Sequence, residues 1–149
     1  MTDDQMIDRA MKICVDVHSG QRDRYGEIYI LHPMRVMMKV NNLRDKCVAI
    51  LHDVVEDSDW TAEHLSAEGF SPDIVDAVNA ITKQDGEDYM DYIHRLESNG
   101  MAVRVKLADL EDNLDLLRLK GKLTKTDCKR LALYLRAYTI LCKIAGKEP

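Results

Sequence analysis

The sequence predicts an all-α protein that folds as a single domain. Apolar residues recur with helical periodicity, and no segment between turn signals shows the apolar/polar alternation of a β-strand. A chain of 149 residues has the usual size of one domain, with no internal repeat and no linker long enough to separate two domains. We therefore expect residues 1–149 to form one helical bundle.

The first third of the chain is expected to contain three helices. A 3.6-residue apolar stripe predicts the first helix over residues 3–18. Residues 20–29 contain two glycines and mixed charges and are expected to form an irregular loop. A second helix should begin near Pro33, because proline is favoured in a first helical turn. The third helix is predicted over residues 44–60.

Capping and stop residues divide the rest of the chain into further helices. Ser71 and Thr124 are expected to be N-caps, because a hydroxyl oxygen accepts a hydrogen bond from a free backbone N–H group. Gly69 and Gly146 are expected to end helices, because glycine readily adopts the left-handed conformation found there. The expected helical segments are residues 61–69, 71–82, 87–100, 101–121 and 124–145.

Composition and charge restrict the classes of function. The formal net charge is −5 and the pI is about 5.5, which argues against a partner such as polymeric nucleic acid. A small phosphorylated substrate is still compatible, because a few local cations or a metal ion can make one cleft positive. The sequence shows no secretory leader, no run of ~18 apolar residues and no C-x-x-C pair, so we expect a cytoplasmic protein with reduced cysteines and no membrane span.

Several ionisable residues lie inside otherwise apolar helical patterns. His32 stands directly before Pro33 in YILHPMRVMMKV, His52 and Asp53 follow AIL, and Asp109 lies between apolar residues in VKLADLEDNL. Buried carboxylates without a cation would be forced to take up protons, whereas a divalent ion accepts both imidazoles and carboxylates as ligands. The sequence therefore predicts that these two histidines and two aspartates surround one metal ion.

Two more carboxylates accompany this group at helical spacing. Glu56 is four residues after His52, and Asp57 is four residues after Asp53, so on a continuous helix all four would share one wall. Exposed acidic side chains at the C-terminal end of a helix interact unfavourably with the helix dipole. We therefore interpret Glu56 and Asp57 as functional residues rather than as a solvated helix end.

The order of these motifs resembles that of the HD-domain hydrolases. HSGQRDRYGEIYILHP, AILHDVVEDSD, AVNAIT and VRVKLADLEDN are similar to successive motifs of the alarmone-hydrolase part of RelA/SpoT-type enzymes, including their small stand-alone relatives. The match runs between residues 18 and 118, and residues 124–145 would form a C-terminal covering helix. The resemblance implies an HD-type helical bundle that removes pyrophosphate from the 3′ position of (p)ppGpp with one divalent metal ion. That ion is typically Mn²⁺ in the family, with Fe²⁺, Zn²⁺, Ni²⁺, Co²⁺ and Mg²⁺ as further options.

Roles for individual residues follow from the resemblance. The metal ligands fall on His32, His52, Asp53 and Asp109. The acidic pair that handles the attacking water falls on Glu56 and Asp57, and the nucleotide-contacting asparagine falls on Asn113. We add Arg24 and Lys106 as the cations expected to hold the leaving phosphate, with Lys83 and Arg104 as further options.

The sequence departs from the family at several positions around this core. Asp23 and Arg24 occupy positions that are commonly Arg and Lys, and Ile28 replaces a proline. After LAD the family usually continues with basic residues, where this chain has Glu111, Asp112 and Asp115. We therefore expect a less positive rim around the site.

This expectation leaves two alternatives open beside the alarmone hydrolase. One is an HD hydrolase of another nucleotide or phosphate ester, and the other is a non-catalytic nucleotide-binding HD module. The last helix could cover the bundle or form a contact in a homo-oligomer, and the sequence does not decide between them.

Overall fold

Eight α-helices account for most of the protein in the computed structural model, which describes residues 1–147. Residues 148 and 149 of the predicted domain lie outside the described residues. Within the described part the only strand-like feature is one antiparallel bridge between Arg22 and Ile28, and the all-α prediction is confirmed. The helices are α1 (Asp3–His18), α2 (Leu31–Met38), α3 (Leu43–Leu51), α4 (Ala62–Ala67), α5 (Pro72–Ile81), α6 (Tyr89–Leu96), α7 (Gly100–Asn113) and α8 (Lys125–Ala145), with a short 3-10 helix at Leu116–Arg118.

Helix α3 is the centre of the bundle. It packs against α1, α2, α5 and α7, and residues 47–51 are all buried. A helix that is apolar on every side can be accommodated only where neighbours surround it, which explains the continuous CVAIL run. Because α2, the end of α3 and α7 are packed together, the segments that carry His32, His52 and Asp109 are brought into one region.

Two of the predicted helix ends are confirmed in detail. Thr124 caps α8 and forms a capping box with Asp127, in which each side chain accepts a hydrogen bond from the other's backbone N–H. Gly146 ends the same helix with a φ of +70°, the left-handed conformation that glycine adopts without strain. Ser71 occupies the N-cap position of α5, but its side chain makes no capping hydrogen bond there.

The prediction of one helix over residues 44–60 is wrong, because α3 ends at Leu51. The ring Nδ1 of His52 donates a hydrogen bond to the carbonyl of Ala49 at 2.6 Å. In a continued helix that carbonyl would accept the backbone N–H of Asp53, so the imidazole competes with the next helical hydrogen bond. Residues 52–57 form turns instead, so Glu56 and Asp57 do not share a helical wall with His52 and Asp53.

The prediction that residues 101–121 are helical throughout is also wrong. Helix α7 ends at Asn113, and a 3-10 turn follows at residues 116–118. The carbonyl of Asp112 accepts a hydrogen bond from Arg118 Nη1 at 3.2 Å, and the carboxylate of Asp115 accepts the backbone N–H of Leu117 at 3.1 Å. Side chains therefore satisfy backbone groups that a continued helix would have used.

Helix α8 packs along α7 through only part of its length. Ala137, Leu141 and Cys142 are its buried residues, and all of them lie in its second half. The first half borders the cleft described below. None of the described helices is long and apolar enough to cross a membrane.

The packing of α8 can be tested with two leucines on different faces of that helix, one buried and one exposed. Leu141 is fully buried, so Leu141→Ala should lower the free energy of unfolding by about 2–5 kcal/mol in urea titration. Leu135 is 56% exposed, and Leu135→Ala should change it by less than about 0.5 kcal/mol. Equal losses for the two variants would contradict this orientation of α8.

Candidate metal centre and cleft

Three ionisable side chains from three helical segments meet in one buried cluster. His32 lies in the first turn of α2, His52 directly follows α3, and Asp109 lies in α7. One ligand atom from each lies within 4.8 Å of the others. The Nε2 atoms of the two imidazoles are 3.2 Å apart, and Asp109 Oδ1 is 2.9 Å from His32 Nε2 and 3.4 Å from His52 Nε2.

Asp53 borders this cluster on the cleft side. Its Oδ2 lies 3.0 Å from His52 Nε2 and 3.7 Å from His32 Nε2, so the carboxylate contacts both imidazoles. The hydroxyl of Tyr29 donates a hydrogen bond to the same oxygen. The structure therefore brings together all four residues that the sequence predicts as metal ligands, with three in a tight group and Asp53 beside it.

The outer nitrogen of each imidazole is held by a hydrogen-bond acceptor. His52 Nδ1 contacts the Ala49 carbonyl at 2.6 Å, and His32 Nδ1 contacts Asp112 Oδ2 at 2.6 Å. A carbonyl or carboxylate can only accept, so Nδ1 carries the hydrogen in both rings. In the neutral imidazoles each Nε2 then presents a lone pair to the cluster, which is the arrangement found in histidines that bind metal ions.

The donor set therefore fits a divalent metal ion. Two Nε2 lone pairs and the carboxylates of Asp109 and Asp53 converge without a hydrogen-bond donor among them when the imidazoles are neutral. Such a mixture of imidazole and carboxylate is common for first-row divalent metals. A cation at this point would satisfy all of these acceptors together.

The ionisable groups of the cluster shift one another's pKa values. Burial alone would lower the pKa of His52, but the carboxylates of Asp53 and Asp109 outweigh it and hold this pKa well above its usual value. Burial would raise the pKa of Asp109, yet the ammonium of Lys106 and the two imidazoles hold it well below its usual value. The surrounding cationic groups therefore favour the ionised form of the Asp109 carboxyl.

Lys106, predicted as a phosphate contact, is anchored to the cluster. Its Nζ donates to Asp109 Oδ2 at 2.8 Å and lies 5.2 Å from the ring centre of Tyr92 and 5.8 Å from that of Tyr89. Burial opposes its charge, but Asp109 and the two aromatic rings keep the pKa of Lys106 well above its usual value. Lys106 lines the cleft, with its charge shared with a candidate ligand.

Asn113 lies one helical turn after Asp109 and faces the same cleft. Its Nδ2 donates to Asp109 Oδ1 at 3.0 Å. A contact to a nucleotide stays a prediction for Asn113, and the hydrogen bond orients the candidate ligand Asp109.

The two acidic residues predicted as a catalytic pair point in different directions. Glu56 lines the cleft, where its Oε1 accepts the backbone N–H of Lys83 at 2.6 Å. Asp57 is not among the residues that line the cleft, and its Oδ2 accepts a hydrogen bond from Gln21 Nε2 at 3.2 Å. Desolvation raises the pKa of both carboxyls above the usual value.

The cluster forms the floor of a cleft with a volume of about 780 Å³. The cleft is rich in cations although the whole chain carries a net charge of −5, because seven basic side chains line it against four carboxylates. A local positive field of this kind attracts phosphorylated ligands. The basic residues are Arg22, Arg24, Lys83, Lys106, Arg118, Lys129 and Arg130.

Sequence reasoning located some of these cations and missed others. Arg24 and Lys83 line the cleft, whereas Arg104 lies elsewhere and pairs with the buried Asp45 at 2.6 Å. Lys129 and Arg130 of α8 were not predicted. Their contribution depends on how α8 docks on the bundle, and the helical pattern alone carries no signal for that.

Of the carboxylates behind the expected less positive rim, Asp23 lines the cleft, whereas Glu111, Asp112 and Asp115 do not. Asp112 is buried and accepts hydrogen bonds from Arg35 Nε and Arg118 Nη1, both at 2.8 Å. Burial alone would raise the pKa of this carboxyl, but His32 and the two arginines lower it to about 2. Asp23 pairs with Arg118 at 2.9 Å. Glu111 is exposed outside the cleft, where it accepts a hydrogen bond from a tyrosine of α8.

The position of Asp112 behind His32 generates a prediction about metal affinity. Asp112→Asn should weaken binding of Mn²⁺ by roughly 10- to 100-fold in isothermal titration calorimetry, because the charged acceptor that fixes His32 Nδ1–H is lost. Glu111→Gln is the matched control, since it removes the neighbouring charge on the exposed side and should leave the affinity unchanged. Equal affinities for both variants would contradict the role of Asp112.

Comparison with known proteins gives a consistent set of relatives. No protein-family model matches the chain. The chain is 30% identical over 123 residues to a guanosine-3′,5′-bis(diphosphate) 3′-pyrophosphohydrolase of Aquifex aeolicus, covering 74% of this chain and 18% of that protein. It is also 30% identical over 150 residues to the enzyme of that name in Haemophilus influenzae, covering 91% and 21%. The chain thus spans about a fifth of the length of these relatives.

A solved structure shares the fold over nearly the whole chain. Its description reads "A metazoan ortholog of SpoT hydrolyzes ppGpp and plays a role in starvation responses", and the match has a TM-score of 0.77. It covers 96% of this chain and 87% of the other, at 22% sequence identity. At that identity the likeness concerns the fold, and it confirms the predicted helical bundle.

Proposed function

Because this chain is an HD-domain protein related to the RelA/SpoT-type (p)ppGpp hydrolases, we propose that it is a metal-dependent phosphohydrolase. Its substrate is (p)ppGpp or a closely related nucleotide, from which it removes the 3′-pyrophosphate. One observation carries the proposal: the two Nε2 atoms and the carboxylates of the cluster converge on the floor of a cleft lined by cations. A polyphosphate needs this combination of a cation site and a positive wall.

His32, His52, Asp53 and Asp109 would hold the metal ion, for which we propose Mn²⁺. When bound, a divalent ion of this kind polarises a phosphoryl oxygen and lowers the pKa of a coordinated water towards about 7. Tyr29 and Asn113 support this arrangement from the protein side, because each donates a hydrogen bond to one of the carboxylates and limits its rotation.

Glu56 is the residue that we assign to proton transfer. Its carboxylate lines the cleft and is held in place by the backbone N–H of Lys83. Its raised pKa brings the carboxyl closer to neutral pH, which suits a group that takes a proton from an attacking water and later releases it. Asp57 would act one step further away, by fixing Gln21 and the loop in front of the site.

The basic side chains of the cleft wall would bind the phosphates. Arg24 comes from the loop between α1 and α2, and Lys83 follows α5, so cations approach the cluster from two sides. Lys106 holds Asp109 and reduces the repulsion between this carboxylate and an incoming phosphate. The leaving pyrophosphate would then depart along the positive wall.

The central prediction of this proposal concerns Asp53. Asp53→Ala should abolish metal retention and hydrolysis together, because the carboxylate that contacts both imidazoles is removed. Asp59→Ala is the matched control, since this exposed aspartate lies in the same connection between α3 and α4 and outside the cleft. Metal content after gel filtration and pyrophosphate release measure the two effects. Full activity of Asp53→Ala without bound metal would contradict the mechanism.

A substrate panel separates the proposed reaction from its alternatives. Mn²⁺-loaded protein is incubated with ppGpp, pppGpp, ppApp and simple mononucleotides. Release of pyrophosphate only from the 3′-pyrophosphorylated nucleotides supports the proposal. Orthophosphate from mononucleotides would indicate a hydrolase of other phosphate esters, and tight binding without turnover would indicate a non-catalytic module.

A further inference from the structure

Arg118 joins two carboxylates from different segments, one in the loop between α1 and α2 and one in α7. Its Nη1 donates to Asp112 Oδ2 at 2.8 Å, and its Nη2 donates to Asp23 Oδ2 at 2.9 Å. The arginine side chain is only 13% exposed, and both carboxylates are largely buried. Hydrogen bonds between buried charged groups are strong and costly to break, because each partner would be left without its counter-charge.

One end of this bridge leads directly to the candidate metal centre. Asp112 Oδ2 accepts the hydrogen of His32 Nδ1 as well as that of Arg118. The orientation of the His32 ring and the position of Arg118 therefore depend on the same carboxylate oxygen.

The other end leads to the loop that presents Arg24 to the cleft. Asp23 Oδ1 accepts the backbone N–H groups of Tyr25 at 2.9 Å and Glu27 at 3.0 Å, and Asp23 N donates to the Glu27 carbonyl at 2.8 Å. These bonds close a turn around Arg24. The guanidinium carbon of Arg118 also lies 5.4 Å from the ring centre of Tyr25, which adds a cation–π contact to the same turn.

Asp23 and Asp112 are two of the positions at which this chain departs from the family that it resembles. Both departures introduce a carboxylate, and both carboxylates bind the same guanidinium. These two carboxylates, which are 89 positions apart in the sequence, thus meet in one contact with Arg118.

We propose that Arg118 is a positioning residue that couples occupation of the metal centre to the order of the loop around Arg24. A metal ion that fixes the ring of His32 also fixes Asp112, and Arg118 transmits this restraint to Asp23 and the turn. This coupling is reciprocal. The factor by which a bound metal ion shifts the loop towards its ordered state is also the factor by which an ordered loop raises the affinity for the metal ion. The inference rests on the proposed role of His32 as a ligand and is independent of which nucleotide is hydrolysed.

Trypsin offers a direct readout of this loop, because Arg22 and Arg24 are cleavage sites within it. The wild-type chain is digested with and without saturating Mn²⁺, and the cleavage sites are identified from fragment masses. When the loop opens and closes faster than trypsin cuts it, the cleavage rate reports the fraction of molecules in which the loop is open. We expect Mn²⁺ to slow cleavage at these two sites roughly fivefold or more.

Variants decide whether Arg118 transmits the effect. In Arg118→Gln and Asp23→Asn, cleavage at the loop should be faster and Mn²⁺ should no longer slow it. In both variants the affinity for Mn²⁺, measured by calorimetry, should also fall. The expected fold decrease equals the fold by which Mn²⁺ slows cleavage of the loop in the wild type. Arg118→Lys keeps the cation but cannot reach both carboxylates with separate N–H groups, so it should lose most of the protection even if Arg118→Gln fails to fold.

Arg104→Gln is the matched control. It breaks a comparable ion pair with the buried Asp45 outside the cleft, so it should destabilise the protein and retain protection of the loop by Mn²⁺. Equal protection by Mn²⁺ in the wild type and in Arg118→Gln would overturn the coupling while leaving the proposed function standing. Absence of Mn²⁺ binding to the wild type would overturn both.

Discussion

The hydrogen bond from His52 Nδ1 to the carbonyl of Ala49 is the contact on which the site depends most. It removes that carbonyl from the backbone pattern of α3, and the helix ends one residue before the histidine. It also places the hydrogen of the ring on Nδ1 and directs the Nε2 lone pair towards His32 and Asp109. The end of a buried helix and the orientation of the His52 Nε2 atom towards the cluster therefore share a single interaction.

The charged groups around the cluster stabilise its buried carboxylates. Asp109 receives hydrogen bonds from Lys106 and Asn113, and Asp112 is held by two arginines. Each carboxylate near the cluster thus has a donor on its outer side, which reduces the cost of burying it. Other basic side chains line the cleft and give this acidic protein a positive surface there. They are Arg22, Arg24, Lys83, Lys129 and Arg130.

The sequence was sufficient for the fold class, and it singled out the four residues that lie together at the floor of the cleft, because both inferences depend on periodicity and on ionisable residues inside apolar segments. It was misleading where side chains compete with the backbone, as at His52 and Asp115, since no propensity describes that competition. It also misjudged Asp112, whose carboxylate appeared as a rim charge but is buried among arginines. Pairings between residues far apart in the sequence, such as Asp23 with Arg118, depend on tertiary packing and leave no local pattern.

The most direct test of the central claim is pulsed electron paramagnetic resonance of the Mn²⁺-loaded protein. Electron spin echo modulation detects nitrogen nuclei that are bound to the ion, so it reports the ligands without requiring turnover. The account predicts modulation from two imidazole nitrogens, reduced to one in His32→Gln and in His52→Gln. Mn²⁺ bound at full occupancy with no nitrogen modulation would contradict it, because the two converging Nε2 atoms would then not be ligands.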